Sequence, residues 1–416
     1  MAVSIDQSTG CLSIDGSKVF PIALSNPPPL GGKTPSGTDG WAEVASAGVN
    51  FIRTRLVQWD LQQIDAQIAQ EKTILDAAAA KGFHCWLQLG AIANLPATSG
   101  SVNEQLLTRI ANGLKSHAAL GVYKGVDEPA NPNQPNAVPA AGLVRAYQKL
   151  KALDPDHPVV ITQAPLGTVA SLTPYRPAFD ITGADIYPVS YPPGVHSDLP
   201  NKDISVVGDM TRKMVTAAGG KSVWMTLQIA WSGVIQNQTH PDNVPRFPTL
   251  HEERFMVYQA IVAGARGLVF YGGDFTTVMR PRDASLGWNW FFWQTVLHPL
   301  LTELTSTAVR PALVAPNAPT QVAANEGDVD ILTRKDGQTL YVIAVRRDPT
   351  TTNKVAFGGI PTNVSRGEVL FEYVQKPLSP PVDPTKQAFR VITVTNGGFQ
   401  DWFGPHDARV YRFTLV

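Results

Sequence analysis

Leu120-Gly-Val-Tyr-Lys-Gly-Val-Asp-Glu-Pro129 is an apolar, partly β-branched run that ends in two adjacent carboxylates and a proline. Such a run reads as a buried strand that delivers Asp127 and Glu128 to a rim and stops there. Pro129 lacks an N–H and restricts its predecessor, so Glu128 is expected to be extended and to close a strand over 120–126. In a parallel barrel, acids at the carboxyl end of a strand belong to the face where sites are built. A plainer reading stands beside this one: the two acids begin a polar loop and cap the next helix.

Working outward from this stretch, the same strand-then-helix rhythm recurs on both sides. Strand-like runs at 19–25, 49–54, 83–89, 158–163, 181–189, 222–229 and 267–271 alternate with helical periodicity at 41–47, 60–81, 102–118, 137–153, 203–218 and 250–264. Eight such units over roughly 290 residues predict a (β/α)8 TIM barrel across residues 19–305. A doubly wound open sheet is the alternative, but no Gly-rich phosphate turn follows any strand. Residues 1–18 read as an N-terminal hairpin, with turn signals at Ser8-Thr-Gly10 and Asp15-Gly16. The texture of 306–416 differs. Short alternating runs at 329–333, 339–345, 354–357, 368–373, 389–394 and 408–413 are separated by turns such as Asp336-Gly337 and Asn396-Gly-Gly398. They predict a C-terminal antiparallel β-sandwich, for which packing on the barrel is the preferred role.

Composition narrows the chemistry. The 416 residues carry 34 Lys+Arg against 34 Asp+Glu, so the formal net charge is zero. Without a basic stripe, neither nucleic acid nor an anionic membrane is an expected partner. Charged residues are only 16% of the chain, while Gly and Pro number 34 each, a loop-rich balance that suits a secreted or periplasmic carbohydrate enzyme. The start, Met1-Ala-Val-Ser-Ile5, has no signal-peptide pattern, so export would need a leader ahead of it; a cytoplasmic location is the other reading. No apolar run reaches the roughly 18 residues of a membrane span. Cys11 and Cys85 match no metal spacing and are expected as buried free thiols, with a disulfide between them left open. No cofactor or metal is expected, and the sequence leaves the oligomeric state open.

Placing the last residues of each strand at one end collects Arg53, Arg55, Gln88, Asp127, Glu128, Gln163, Asp185, Tyr187, Gln228, Trp231, Tyr271 and Asp274. Sugars present apolar faces edged by hydroxyls, so aromatic platforms beside Asp, Arg and Gln suit them. In Trp288-Asn-Trp-Phe-Phe-Trp293, Phe291, Phe292 and Trp293 are expected to pack on the barrel, whereas Trp288 and Trp290 are divided between packing and pocket lining. Asp185 is the preferred second acid, with orienting Arg53 or holding sugar hydroxyls as its plainer role. Asp274, in Gly272-Gly-Asp274, is adequately explained by a turn. Glu252, three residues after Thr249, reads as part of a capping box, and Glu253 as a salt-bridge partner of Arg254 or Arg266. His157 lies at the far end of the barrel, His84 reads as a satisfied core histidine, and His196 and His240 lie on rim loops.

The motifs Gly125-Val-Asp-Glu-Pro129, Asp154-Pro-Asp-His-Pro158, Ala184-Asp-Ile-Tyr-Pro188, Val223-Trp-Met-Thr-Leu-Gln228, Pro248-Thr-Leu-His-Glu-Glu-Arg254 and Ala263-Gly-Ala-Arg-Gly267 resemble those of the clan A (β/α)8 glycoside hydrolases. The nearer match is a poorly characterised branch whose fourth strand ends in Asp-Glu-Pro, and the resemblance covers residues 19–305. It implies that Glu128 is the acid/base. It also implies a nucleophilic glutamate at the end of strand seven, where this chain carries Gln228. An amide cannot act as a carboxylate nucleophile, so the usual retaining double displacement is in question.

The expectation is therefore a glycoside hydrolase that cleaves an O-glycosidic bond of a poly- or oligosaccharide, with Glu128 and Asp185 as its catalytic carboxylates. Arg53, Gln88, Asp127, Tyr187, Gln228, Trp231, Tyr271, Asp274 and Trp288 are expected to bind the sugar. The alternative is a carbohydrate-binding protein on a glycosidase scaffold that has lost its nucleophile. A weaker third reading is a barrel lyase or isomerase acting on a sugar acid, with Arg53 holding the carboxylate.

Overall fold

Eight parallel strands close into a barrel: β1 (Ile22–Leu24), β2 (Phe51–Arg53), β3 (His84–Gln88), β4 (Leu120–Lys124), β5 (Val159–Gln163), β6 (Ile181–Ile186), β7 (Ser222–Gln228) and β8 (Gly267–Tyr271). β8 returns to β1 with Leu268 opposite Ile22 and Phe270 opposite Leu24. The computed structural model describes residues 2–131, 133, 138–193, 196–229, 244–275, 279–373 and 389–415. Helices α1 (Gly40–Ser46), α2 (Ile64–Ala79), α3 (Val102–Leu114), α4 (Ala140–Leu153), α5 (Val169–Leu172), α6 (Val206–Ala218) and α7 (Leu250–Val262) follow strands of the barrel. Several of them start on a side-chain cap. Ser101 accepts from the Glu104 N–H, and Thr249 and Glu252 form the expected capping box, which Arg246 ties further through an ion pair at 2.6 Å.

Strand side chains alternate with period two, so every second residue points into the barrel. Ala23, Phe51, Trp86, Val122, Val160, Ile181, Trp224 and Val269 fill the lower interior. Where β6 and β7 meet there is no room for a side chain: a Cβ on Gly183 would lie 1.5 Å from the Trp224 carbonyl oxygen. Val3, Leu12 and Ile14 close this interior from below. They come from an N-terminal three-stranded antiparallel sheet, Val3–Ile5, Leu12–Ile14 and Ser17–Val19, so the expected hairpin has a third strand and the first barrel strand starts at Ile22.

The C-terminal region forms two antiparallel sheets from β9 (Val329–Asp336), β10 (Thr339–Arg346), β11 (Asn353–Gly358), β12 (Arg366–Tyr373), β13 (Phe389–Thr393), β14 (Gly398–Phe403) and β15 (Ala408–Thr414). The larger sheet runs β9-β10-β15-β12-β13, and the smaller joins Ala323–Ala324, β11 and β14. Strand β14 was not expected. Its buried Phe399, Asp401 and Phe403 alternate with Gln400 and exposed Trp402, a pattern hidden behind the Asn396-Gly-Gly398 turn signal. Tyr341, Ile343, Val345, Leu370, Ala408 and Val410 of the larger sheet join the barrel's outer core. Polar clamps reinforce the contact: Gln259 donates to Asp330 at 2.7 Å, and Arg254 donates to the Ala408 carbonyl at 2.6 Å while pairing with Glu303 at 2.8 Å.

Three smaller expectations are corrected. Glu253 makes no salt bridge; it is fully buried, neither carboxyl oxygen has a hydrogen-bond partner among the described residues, and Arg254 is taken by Glu303 instead. His84 packs against Phe51, but its Nδ1 is buried without a partner. Phe291 is 41% exposed rather than packed, and the guanidinium of Arg280 lies over its ring at 3.3 Å. Cys11 and Cys85 are buried free thiols. No described helix is long and apolar enough to cross a membrane.

Candidate functional site

One alternation step above the apolar layer, the barrel interior turns polar. Each strand contributes one side chain at this level: Ser25 just past β1, then Arg53, Gln88, Lys124, Thr162, Asp185, Thr226 and Tyr271. This ring forms the floor of a cavity of about 370 Å³ at the carboxyl ends of the strands, with Leu56, Asn94, Val126 and Asp127 among its walls. The pairing is visible strand by strand as Phe51/Arg53, Trp86/Gln88, Val122/Lys124, Val160/Thr162, Trp224/Thr226 and Val269/Tyr271. The apolar member packs below and the polar one faces the opening.

The charged groups of the cavity are unequally satisfied. Lys124, 2% exposed, reaches up to Asp127 at 2.6 Å and lies 5.7 Å from the centre of the Trp86 ring. Asp185 sits on β6 opposite Thr226 of β7. Burial pushes the Asp185 carboxyl well above the usual carboxylate range; the negative charges of Asp127 and Glu128 push in the same direction, against Lys124 and a hydrogen bond from Thr226. Arg53 makes no hydrogen bond or ion pair among the described residues. Burial lowers its pKa, while Asp127, Tyr271 and Asp274 lie near enough to counter part of that shift. Trp59 donates to the backbone carbonyl of Gln88, and the side-chain amide of Gln88 faces the cavity.

Tyr187, 5% exposed, stacks between His196 at 4.5 Å and Tyr271 at 5.4 Å, and so backs Tyr271 from behind the cavity. Burial and the nearby Asp185 charge raise the pKa of its hydroxyl well above the ordinary tyrosine value. The His196 imidazole, which accepts from the Tyr187 N–H, is pushed down to about 4 by burial and is neutral at pH 7.

Glu128 departs from the expected backbone. The strand ends at Lys124, and Glu128 has φ 46°, in the left-handed region that non-glycine residues seldom adopt. A turn imposes this conformation: the Glu128 N–H donates to Thr162 at 2.9 Å, and its carbonyl accepts from the Asn131 N–H at 3.0 Å. Pro129 disfavours the right-handed helical conformation at the residue before it, and the turn here takes the left-handed one. The Glu128 carboxylate accepts from the Asn131 amide at 3.1 Å. Asp127, rather than Glu128, is the strand-four acid that lines the cavity.

The other expected sugar contacts divide. Gln228 is 1% exposed; its amide oxygen accepts from the Val189 N–H and its amide nitrogen donates to the Val189 carbonyl, both at 2.9 Å. Trp288 is 1% exposed, donates to the Asn26 carbonyl at 2.8 Å and packs on Trp290 and Trp293. It supports the rim rather than lining the cavity. Asp274 is exposed and accepts from Asn26 at 2.9 Å. Trp231 and His240 lie outside the described residues. The lining residues missed from sequence include Ser25, Trp86, Lys124, Thr162 and Thr226. A lysine inside an apolar strand three residues before Asp127 was a usable signal, because buried charges are nearly always paired. Among the described residues, no three His, Cys, Asp or Glu side chains gather closely enough to hold a metal ion.

Fold and site together define a (β/α)8 barrel with an acid-bearing cavity at its carboxyl face and an appended β-sandwich. No family model matches the chain, and no curated protein matches it in sequence. Solved structures do match in architecture. One described as a glycoside hydrolase has a TM-score of 0.60 at 11% identity, covering 100% of this chain and 97% of its own. A family 5 glycoside hydrolase from Bacteroides vulgatus gives 0.60 at 11% identity, over 100% and 93%. A GH30 endoxylanase from Clostridium papyrosolvens gives 0.53 at 12% identity, over 96% and 97%. The chain thus shares its fold with these glycoside hydrolases over nearly its whole length.

Proposed function

We propose that the protein hydrolyses an O-glycosidic bond of a poly- or oligosaccharide, with Asp185 as proton donor and the strand-four acids as the second carboxylate. One observation carries this reading: two carboxyl groups, Asp127 and Asp185, line one cavity in different environments. Asp127 is held by the Lys124 ammonium, whereas burial raises the pKa of the Asp185 carboxyl well above the usual carboxylate range. A carboxyl whose pKa is raised by burial suits the role of proton donor, and the ion-paired acid beside it suits the second role. In the forward step Asp185 gives its proton to the departing glycosidic oxygen as the bond to the anomeric carbon breaks. Water adds to that carbon and yields its proton to the ionised acid. Asp127 is the nearer choice for that acid, and Glu128, one residue on, is the other. Arg53, Gln88 and Tyr271 hold the sugar. The sparse charge and loop-rich composition support an exported enzyme acting on polysaccharide.

The test is reducing-end release from a panel of polysaccharides by the wild type, Asp185→Asn, Asp127→Asn and Glu128→Gln. Loss of several orders of magnitude in Asp185→Asn and in one strand-four variant is expected, and unchanged release in Asp185→Asn would end the assignment. A second reading, a sugar-binding protein without turnover, is favoured by Gln228, since the β7 position of the usual carboxylate carries a buried amide already committed to Val189. Oligosaccharide binding with no product on prolonged incubation would select it.

A further inference from the structure

Among the described residues, one cation of the cavity lining, Arg53, makes no direct ion pair, although Asp127 and Asp274 lie within electrostatic reach of it. Lys124 is neutralised by Asp127 at 2.6 Å. Asp274, the other acid near Arg53, is engaged by Asn26 at 2.9 Å and makes no ion pair with the guanidinium. Asp185 holds its hydrogen bond with Thr226. Arg53, at the end of β2 and opposite Trp86 in register, faces the opening with no hydrogen bond or ion pair among the described residues. An enclosed guanidinium left unpaired is unfavourable, and its five donors in a planar fork match a carboxylate bidentately. The neighbouring lining groups, Gln88, Ser25 and Tyr271, are neutral hydrogen-bonding side chains. They suit sugar hydroxyls and add no competing negative charge.

We propose that the sugar unit seated beside Arg53 carries a carboxylate, so that the substrate class is a uronic-acid-containing glycan, with Arg53 as the specificity-determining residue. This inference rests on the glycan reading of the cavity but not on hydrolysis. A carboxylate placed on Arg53 supplies the direct ion pair that no described residue makes with it, whereas a neutral hexose does not. Arg53→Gln keeps hydrogen-bonding capacity and removes the charge. Arg53→Lys keeps the charge and removes the fork.

The experiment measures binding by titration calorimetry, with a uronic-acid disaccharide and its neutral hexose counterpart as ligands. Titrations into Asp185→Asn and into the double variants Asp185→Asn/Arg53→Gln and Asp185→Asn/Arg53→Lys keep turnover from obscuring the heats. The parent is expected to bind the uronide at least about tenfold more tightly than the neutral sugar, as a charge-assisted bidentate contact allows. Arg53→Gln should abolish that preference by weakening uronide binding far more than neutral-sugar binding, and Arg53→Lys should retain only part of it. Equal affinity for the two sugars in the parent would overturn the inference, as would an equal loss of both in a folded Arg53→Gln protein. If Arg53→Gln does not fold, the parent comparison at low and high salt decides: a uronide preference that is absent at low salt overturns the proposal. A retained uronide preference with no product from the wild type would remove hydrolysis but leave this inference standing. Failure to bind either sugar would remove both.

Discussion

The side-chain amide of Gln228 meets both backbone polar groups of Val189, each at 2.9 Å. It pins the segment after β6 to the end of β7, and it uses the orientation of an amide, one acceptor and one donor. A carboxylate cannot donate to the Val189 carbonyl. Gln228→Glu is therefore expected to lose roughly 1–3 kcal/mol of stability, the penalty for a buried group left unsatisfied, without gaining hydrolytic activity. Urea denaturation measures the first and reducing-end release the second. Unchanged stability would show that the clip is not needed.

Under the proposed role, Asp185 couples activity to stability with opposite signs. Its folded pKa is raised above the unfolded value of about 3.9, so the unfolded chain gives up this proton first as the pH rises. The wild type then loses stability progressively from about pH 4 until the folded group also ionises. Asp185→Asn should remove this slope. The variant should be more stable than wild type at pH 7, match it below about pH 4, and lose on the order of a hundredfold or more in turnover. Thermal melts across pH 3–8 would show it, and a variant that is inactive and also less stable at pH 7 would contradict the assignment.

Glu253 follows the same sign far from the cavity. It is fully buried on α7 without a partner for either oxygen among the described residues, and burial raises its pKa well above the ordinary value. Glu253→Met should stabilise the protein at pH 7 by at least about 1 kcal/mol, with the gain vanishing below about pH 4. Activity should not change. A destabilised variant at pH 7 would mean that the carboxyl serves a structural contact.

Glu303 joins the barrel to the C-terminal sheets through Arg254 at 2.8 Å and the Tyr258 hydroxyl at 2.6 Å, while Arg254 donates onward to Ala408. Removing one member of a buried pair leaves the other charge uncompensated. Glu303→Ala is expected to cost about 3–5 kcal/mol, read as a lowered melting temperature. A change within about 0.5 kcal/mol, typical of surface substitutions, would show that apolar contact alone holds the two regions together.

Much of the fold was legible because barrel strands are short, apolar and regularly spaced between helical segments, as in Val159–Gln163 and Gly267–Tyr271. The end of the barrel that carries the site was legible too, since polar residues gather at the strand ends. Asp185, Arg53, Gln88 and Tyr271 were found this way. Lys124, Thr162 and Thr226 were missed because they lie inside the strands, one alternation step above an apolar residue, and only knowing which face is interior separates them from outward-facing neighbours. Trp288 and Gln228 show the converse. Their positions beside the rim suggested sugar contact, but a hydrogen bond to Asn26 in one case and to Val189 in the other turns each side chain into the protein.

The sequence by itself determined the period: strand, turn and helix in eightfold succession, and then a run of alternating strands. That information is local, carried by side-chain pattern over a few residues. Only the tertiary structure decided which acids share a cavity, because that depends on barrel register and on single backbone dihedrals. Thr226 lies opposite Asp185 through strand pairing, and the left-handed turn at Glu128 accompanies Asp127, not Glu128, lining the opening. That no described residue pairs with Arg53 is likewise a tertiary fact, since a counter-ion is defined by distance in space and not by neighbours in the chain.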